Sequence, residues 1–283
     1  MTTARPSTIL QGEFGRVTLN LTARSLVEHA HSEFNFIFKV GGGDTGFRVA
    51  GTDHQLGDDS VVLVNPWEPH AKLASIGGAT LALTVLVHPG WLQQQAGLPP
   101  TAGTRLFPQA LVRVTPAVQE HLLRIAMSMT AVDVDAGDPE QLLGQLVRQL
   151  VADYSSVDAA RKAMFAAPAM DARVMRATRY MREKAADNPG LEDIAREVGL
   201  SRSRFFEQFK NCVGVSPQQY LDWQRMALAT RLLSDPQASV ADVSHRLGFS
   251  APSHFTRFFA QHIGLPPSDF KRGMLSQPQP DQG

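Results

Sequence analysis

A chain of 283 residues is long enough to form two domains of ordinary size, each with its own hydrophobic core. Apolar residues make up 43% of it, a share that is typical of folded globular proteins rather than disordered ones. The formal net charge is zero, so charge by itself does not indicate a nucleic-acid partner. The two halves differ slightly, since residues 166–283 hold 15 basic and 12 acidic residues whereas residues 1–165 hold 12 and 15. This asymmetry is compatible with DNA binding by the C-terminal half.

Three features of the sequence predict a cytoplasmic protein. There is no run of 18 or more apolar residues, so we expect no transmembrane helix and no membrane partner. Residues 1–11 lack the basic and then apolar pattern of a secretion signal. The single cysteine, Cys212, excludes an internal disulfide and a cysteine-rich zinc site.

Residues 1–115 are predicted to form a domain of short β-strands. The segments 34–40, 60–64 and 81–87 are rich in β-branched and aromatic residues. Turn signals separate them, notably Gly-Gly-Gly-Asp at 41–44 and Asn65-Pro66. Several short strands at this spacing favour a small sandwich or barrel.

Residues 116–165 are predicted to be a helical segment. Apolar residues follow one stripe from Val118 to Met129 and a second from Leu142 to Tyr154, with a break from Asp133 to Pro139 between them. Asp138-Pro139 is a typical helix start, a capping residue followed by proline. Two interpretations stay open: both helices cover the β-domain, or the second forms a dimer seam. Residues 155–170 are predicted to be a linker, and residues 275–283 a disordered tail.

Two C-terminal stretches, residues 194–220 and 243–270, repeat one another. Seven positions agree in order, at an offset of 49 as far as the serine and 50 after it, so the second copy has one extra residue in its turn. The first copy supplies Gly199, Ser201, Phe205, Phe209, Gly214, Pro217 and Tyr220, which match Gly248, Ser250, Phe255, Phe259, Gly264, Pro267 and Phe270.

Each copy has the pattern of a helix-turn-helix unit. A short helix ends at a glycine, which adopts the left-handed conformation easily. Ser201 or Ser250 is predicted to cap the next helix, whose two phenylalanines, four residues apart, anchor it on its core face. A 17-residue amphipathic helix from Pro217 to Leu233 joins the copies and spans roughly 25 Å. The second helices of the units could then enter adjacent major grooves, about 34 Å apart.

The segment from Asp171 to Arg272 resembles the DNA-binding domain of the AraC/XylS family of transcription regulators. Residues 247–272 (LGFSAPSHFTRFFAQHIGLPPSDFKR) are similar to the signature region of that family, and residues 214–233 resemble its linker helix. The resemblance implies a DNA-binding domain at 166–274 with helix-turn-helix units at about 191–211 and 240–261. It further implies a transcription activator that binds double-stranded DNA, contacts RNA polymerase and forms a homodimer.

Helical geometry selects the residues that would face DNA. With the phenylalanine pairs buried, the opposite faces carry Arg202, Ser203, Phe206, Glu207 and Lys210 in the first unit and Pro252, Ser253, Thr256 and Arg257 in the second. Arg257 could pair with guanine and Glu207 with cytosine. Arg202, Lys210, Lys271 and Arg272 are predicted to meet phosphates. Phe206 could contact a thymine methyl group or be half-buried, and the charged residues could also form a merely solvated helix face.

The N-terminal half resembles the effector-binding cupin barrel of many such regulators. His29, His31, Glu33 and Asn35 alternate and would share one face of a strand, and Trp67 and His70 follow later in the chain. These six residues are the predicted effector site. The fold predicted for the whole chain is therefore α+β: a cupin-like β-barrel with flanking helices, followed by an all-α domain of two helix-turn-helix subdomains joined by a linker helix.

The metal-binding pattern of enzymatic cupins is only partly present. Histidines at 29, 31 and 70 suit a divalent transition metal, but Asn35 stands where the cupin pattern has a glutamate, and Glu33 sits two residues early. A divalent metal at these histidines therefore stays an open alternative, and we predict no catalytic residue and no enzymatic activity. The alternatives are a metal-dependent cupin enzyme fused to a DNA-binding module, and a purely structural all-α C-terminus. If the Phe34, Phe36 and Phe38 face is the core side, the histidine face could also be simply solvated.

Overall fold

The computed structural model describes residues 7–99, 105–130, 138–166 and 171–274. The predicted tail at 275–283 and most of the predicted break before Pro139 lie outside these residues. Within them, no helix is both long and apolar enough to cross a membrane.

The N-terminal half folds into an antiparallel sheet of eight strands in the order β1-β2-β7-β3-β5-β8, with β4 and β6 paired to β3. The strands are β1 (Ser7–Gly12), β2 (Gly15–Thr22), β3 (Phe34–Val49), β4 (Thr52–Leu56), β5 (Ser60–Val64), β6 (His70–Lys72), β7 (Ile76–Val87) and β8 (Leu111–Arg113). In the part of the chain that the structure describes, β8 does not pair with β1. The predicted strands and the α+β class, with an N-terminal β-domain and an all-α C-terminal domain, are confirmed, although the sheet does not close into a barrel within the described residues.

The long strand β3 gives the sheet its bend. The sequence predicted a turn at 41–44, whereas the structure keeps one strand there with two register shifts against β7. Gly42 has φ +80°, and a Cβ on Gly43 would lie 2.5 Å from the carbonyl oxygen of Gly78. The glycines therefore allow β-bulges at this point, and the strand continues through the residues that were predicted to form a turn. The first half of β3 pairs with β5 and β7, and the second half with β4 and β6.

The helices after the sheet cover one of its faces. They are α1 (Pro89–Gln95), α2 (Pro116–Thr130), α3 (Pro139–Tyr154) and α4 (Val157–Ala166). The apolar stripes of α2 and α3 are buried in one core with Phe34, Phe36 and Phe38. This supports the covering interpretation, because a stripe that is buried within the protomer is not available for a dimer seam. Asp138 caps α3 as expected, but the predicted linker at 155–170 is helical over α4.

The C-terminal domain has seven α-helices among the described residues, a short 3-10 helix at Ala185–Asp187, and two cores. The helices are α5 (Ala172–Glu183), α6 (Leu191–Glu197), α7 (Arg202–Val213), α8 (Pro217–Leu233), α9 (Val240–Arg246), α10 (Pro252–Ile263) and α11 (Pro267–Gly273). Helix α8 contributes Tyr220 and Leu221 to the first core and the stretch from Trp223 to Leu233 to the second. It is therefore the rigid connection between the two units that the sequence predicted.

The two helix-turn-helix units differ at the start of their second helices. Ser201 caps α7 as predicted, its hydroxyl accepting from the amide of Arg204. The prediction for Ser250 is wrong: Ala251 occupies the capping position of α10, and the Ser250 hydroxyl lies 3.0 Å from Nδ1 of His254. The extra residue in the second turn moves the serine one position too far from the helix. The proline at Pro252 removes one amide that a cap would have served.

Candidate DNA-binding interface and the cavity beside it

The first candidate DNA-reading helix, α7, presents a polar face to solvent. Phe205 and Phe209 are fully buried beneath it. The predicted contact residues Arg202, Ser203, Glu207 and Lys210 are exposed, and Phe206 is half-buried. The guanidinium of Arg202 lies 5.6 Å from the centre of the Phe206 ring and 3.7 Å from the carboxylate of Glu192. The half-buried Phe206 ring therefore makes a cation–π contact with the exposed Arg202 guanidinium.

The second helix, α10, carries the equivalent face. Pro252, Ser253 and Arg257 are exposed and Thr256 is half-buried, with Phe255 and Phe259 in the core below. The groove beside this face is also lined by Arg24 and Ser25, from the segment between β2 and β3. A DNA duplex that bound α10 in its major groove would therefore lie against Arg24 and Ser25 of the N-terminal half.

The two basic residues near the end of α11 are held by the protein. Lys271 donates to the carbonyl oxygens of Pro236 and Ala238 in the loop between α8 and α9. Arg272 is exposed and pairs with Asp269 at 3.3 Å. Lys271 therefore stabilises the second unit, and the predicted phosphate contacts of both residues stay predictions.

Arg225 of α8, which the sequence pattern did not predict, contacts residues of the second helix-turn-helix unit. Only 4% of it is exposed. Its guanidinium donates to the carbonyl oxygen of Leu247 over 2.8 Å and lies 4.3 Å and 5.3 Å from the ring centres of Phe249 and Phe258. Burial lowers its pKa, and the nearby Asp222 carboxylate opposes that shift. The amphipathic pattern of α8 gave no signal for an arginine on the buried side.

A cavity of about 90 Å³ lies between the sheet and the C-terminal domain. Four of the six predicted effector residues line it: His29, His31, Asn35 and His70. Trp223 of α8 and His262 of α10 close it from the other side. The histidine face is therefore covered by the C-terminal domain and is not simply solvated, and the phenylalanine face of β3 is the core side.

The other two predicted effector residues do not line this cavity. Trp67 stacks on Tyr220, with ring centres 4.9 Å apart, and so belongs to the contact between the halves. Glu33 is buried, with its carboxylate 3.6 Å from Nδ1 of His88 and 3.7 Å from Nδ1 of His31. Burial raises the pKa of Glu33, against the influence of His88.

Each of the three histidines is oriented by a backbone carbonyl. Nδ1 of His29, His31 and His70 lies 2.8, 3.0 and 2.8 Å from the carbonyl oxygens of residues 27, 33 and 68. A carbonyl only accepts hydrogen bonds, so Nδ1 carries the proton in each neutral ring and Nε2 has a free lone pair. Burial lowers the pKa of His70 to about 4 and those of His29 and His31 well below 6.5, so the rings are neutral at pH 7.

Two cations also line the cavity, and they differ in their partners. Lys72 Nζ is satisfied by the carbonyls of Arg24 and Leu73 and by the hydroxyl of Ser75. Among the described residues, the guanidinium of Arg16 has no hydrogen-bond acceptor and lies 5.5 Å from the ring centre of Phe270. Burial lowers its pKa to about 10, so it stays charged at pH 7. A half-buried guanidinium without a hydrogen-bond acceptor can bind the carboxylate of a small molecule.

Comparisons with known proteins support the C-terminal assignment. Residues 194–273 match the family model described as "Helix-turn-helix domain". The chain is 33% identical over 94 residues to the HTH-type transcriptional activator RhaS of Escherichia coli O139:H28 (strain E24377A / ETEC), which is 33% of this chain and 34% of that protein. RhaS of Escherichia coli (strain K12 / DH10B) is 32% identical over 94 residues. The chain thus matches about a third of the length of these curated relatives.

Solved structures share the architecture of both halves. ToxT from Vibrio cholerae strain SCE256 with a bound unsaturated fatty acid has a TM-score of 0.56 at 12% identity, covering 94% of this chain and 93% of that one. ToxT from Vibrio cholerae O395 bound to (E)-4-(8-methylnaphthalen-1-yl)but-3-enoic acid has a TM-score of 0.57 at 10% identity, covering 91% and 98%. At these identities the likeness shows the fold alone.

The β-domain, the linker helix and the paired helix-turn-helix units together have the fold of the ToxT structures. Within that fold, residues 194–273 form a helix-turn-helix domain that is similar to the matched third of the RhaS activators.

Proposed function

We propose that this protein is a sequence-specific transcription activator whose DNA binding responds to a small molecule held between its two domains. The observation that carries the proposal is the placement of two exposed recognition helices on one rigid helix, α8, whose Trp223 also closes the cavity. As an activator it would contact RNA polymerase and act in the cytoplasm, and a homodimer would read paired half-sites.

The position of the cavity supports a direct coupling between ligand and DNA. Its walls come from the sheet on one side and from α8 and α10 on the other. A ligand that prefers one arrangement of these elements shifts the population toward it, by as much as its affinities for the two arrangements differ. The enzyme alternative has less support, because the homologous domain is one of transcription regulators.

The lining favours a small organic acid with an apolar body as effector. Arg16 supplies a positive charge without a hydrogen-bond acceptor among the described residues, while Leu26, Ile37 and Phe47 supply apolar walls. The two ligands named for ToxT structures are also acids with apolar bodies. A carboxylate that pairs with a partly buried guanidinium gains a charge-assisted hydrogen bond, whereas an uncharged analogue does not.

Selection of binding sites from random duplexes, using the full chain, tests the DNA-binding proposal. Arg257→Ala should weaken binding to the selected site by about 1–3 kcal/mol and leave binding to unrelated DNA nearly unchanged. Lys210→Ala should weaken binding to the selected site and to unrelated DNA alike. It should also reduce the slope of log affinity against log salt concentration by about one. Arg231→Ala, an exposed change on α8, is the matched control. Equal effects of the first two variants on both DNAs would contradict these roles, and failure to select any sequence would contradict the proposed function.

A further inference from the structure

The three cavity histidines form a cluster that the proposed function does not use. Their candidate ligand atoms all lie within 4.8 Å of one another. The ring centres of His29 and His70 are 4.4 Å apart, and those of His31 and His70 are 4.8 Å apart. Nitrogen ligands of Zn²⁺ lie about 2.0–2.1 Å from the ion. The distances between the three ring nitrogens must therefore shorten by roughly an ångström for the histidines to bind one ion.

The hydrogen bonds of these rings match those of metal-ligating histidines. Each Nδ1–H donates to a backbone carbonyl, which fixes the tautomer and the orientation of the ring. The Nε2 lone pairs of His31 and His70 meet at the amide of Asn35, at 3.5 and 3.3 Å. The Nε2 atoms of both rings therefore have the amide nitrogen of Asn35 as their donor. Both distances are long for a hydrogen bond.

Asn35 supplies the second, independent observation. Only 5% of this residue is exposed, and its Oδ1 has no hydrogen-bond partner. A rotation of the amide by half a turn would point Oδ1 at the imidazole lone pairs, which is unfavourable unless a cation lies between them. An ion at this point would satisfy the orphaned oxygen and the imidazole nitrogens together.

We propose that His29, His31 and His70 bind a divalent transition-metal ion through their Nε2 atoms, with the side-chain oxygen of Asn35 as a further ligand. Imidazole ligands select ions such as Zn²⁺, Co²⁺ and Ni²⁺ over Mg²⁺ and Ca²⁺, which prefer oxygen. Glu33 is not a ligand, because its carboxylate lies on the Nδ1 side of His31, where it supports the ring from outside. The four ligands are neutral, so the ion keeps its full charge.

Titration of the chelator-treated, tag-free full chain with Co²⁺ tests the proposal, with the visible absorption of the ion as the readout and equilibrium dialysis with Zn²⁺ as a second measurement. We expect one ion per chain. His70→Ala should weaken binding by at least about 100-fold, since loss of a supporting residue alone costs about 10–100-fold. His54→Ala, a half-exposed histidine on β4, should leave it unchanged. Absence of stoichiometric binding, or equal affinities of His70→Ala and the wild type, would overturn the proposal.

Asn35→Asp keeps the test decisive should His70→Ala fail to fold. The new carboxylate would face the ion directly, so Co²⁺ affinity should rise by at least about tenfold. In chelator the variant should melt below the wild type, because it buries a charge without a partner, and Zn²⁺ should raise its melting temperature by more than it raises that of the wild type. A variant that binds metal no better than the wild type would count against Asn35 as a ligand. Neither readout depends on DNA binding, so the two proposals fail separately.

Discussion

The backbone N–H of Val27 donates to the carbonyl oxygen of Gln261 over 3.2 Å, which ties the N-terminal half directly to α10, the second helix of the second helix-turn-helix unit. The same segment is bound to the cavity wall, since the amides of Leu26 and His29 donate to the carbonyls of Lys72 and His70. One stretch of chain therefore contacts both the cavity wall and α10, the helix that we propose reads DNA.

Weakening this contact should release α10 for DNA. Val27→Pro removes the donor, and we expect the affinity of the ligand-free protein for its selected site to rise by up to about tenfold, the equivalent of one hydrogen bond. The reason is that Arg24 and Ser25 share the groove beside Thr256 and Arg257. Fluorescence anisotropy with labelled duplex measures it. Val27→Ala is the control, because it keeps the N–H. Weaker DNA binding by the proline variant would mean that the contact supports the DNA-bound form.

Arg16 should determine the preference of the cavity for acids. Arg16→Met is expected to weaken binding of a carboxylic acid by about 10- to 100-fold, the loss of a charge-assisted hydrogen bond, and to leave binding of the corresponding amide unchanged. Calorimetry with cinnamic acid and its amide gives both numbers. Arg113→Met, at an arginine whose side chain is 88% exposed, controls for loss of net charge. If the wild type binds acid and amide equally, the effector is not selected by charge.

Arg225 should hold the second helix-turn-helix unit in its orientation. Arg225→Met removes the hydrogen bond to Leu247 and the contacts with two phenylalanine rings, so we expect a loss of about 2–4 kcal/mol in the free energy of unfolding. Arg225→Lys should not restore it, since an ammonium group lacks the planar face and the fork of donors. Urea denaturation measures the change, with Arg231→Met as the exposed control on the same helix. Full stability of the lysine variant would show that charge alone is sufficient.

The two turn glycines should differ in their cost of substitution. Gly199 and Gly248 have φ of +70° and +69°, so alanine at either costs about 1–2 kcal/mol of backbone strain. A Cβ at Gly199 meets open space, whereas at Gly248 it would lie 3.1 Å from the carbonyl oxygen of Ala186. Gly248→Ala should therefore destabilise more than Gly199→Ala in thermal unfolding. Gly90→Ala, at a helical glycine with open space around it, should be neutral or stabilising. The reverse order for the two turn glycines would show that the neighbouring backbone yields freely.

The C-terminal domain could be read from the sequence because its determinants are local. Glycine at a helix end, serine before a helix and phenylalanines four residues apart act within one or two turns of the chain, and their repetition identified both units. Ser250 shows the limit of such reading, because one extra residue in a turn moved it out of the capping position.

The arrangement around the cavity could not be read in this way. Arg16, His70, Trp223 and His262 are far apart in the chain and meet only because the sheet packs against α8 and α10. The sequence by itself determined the helices of the two helix-turn-helix units, where each unit begins and the grouping of His29 and His31 with Asn35 on one side of the chain. Tertiary structure alone decided that the sheet does not close within the described residues, that Arg225 of α8 is buried and that the C-terminal domain covers the cavity histidines. These features depend on contacts between distant segments, which local periodicity does not encode.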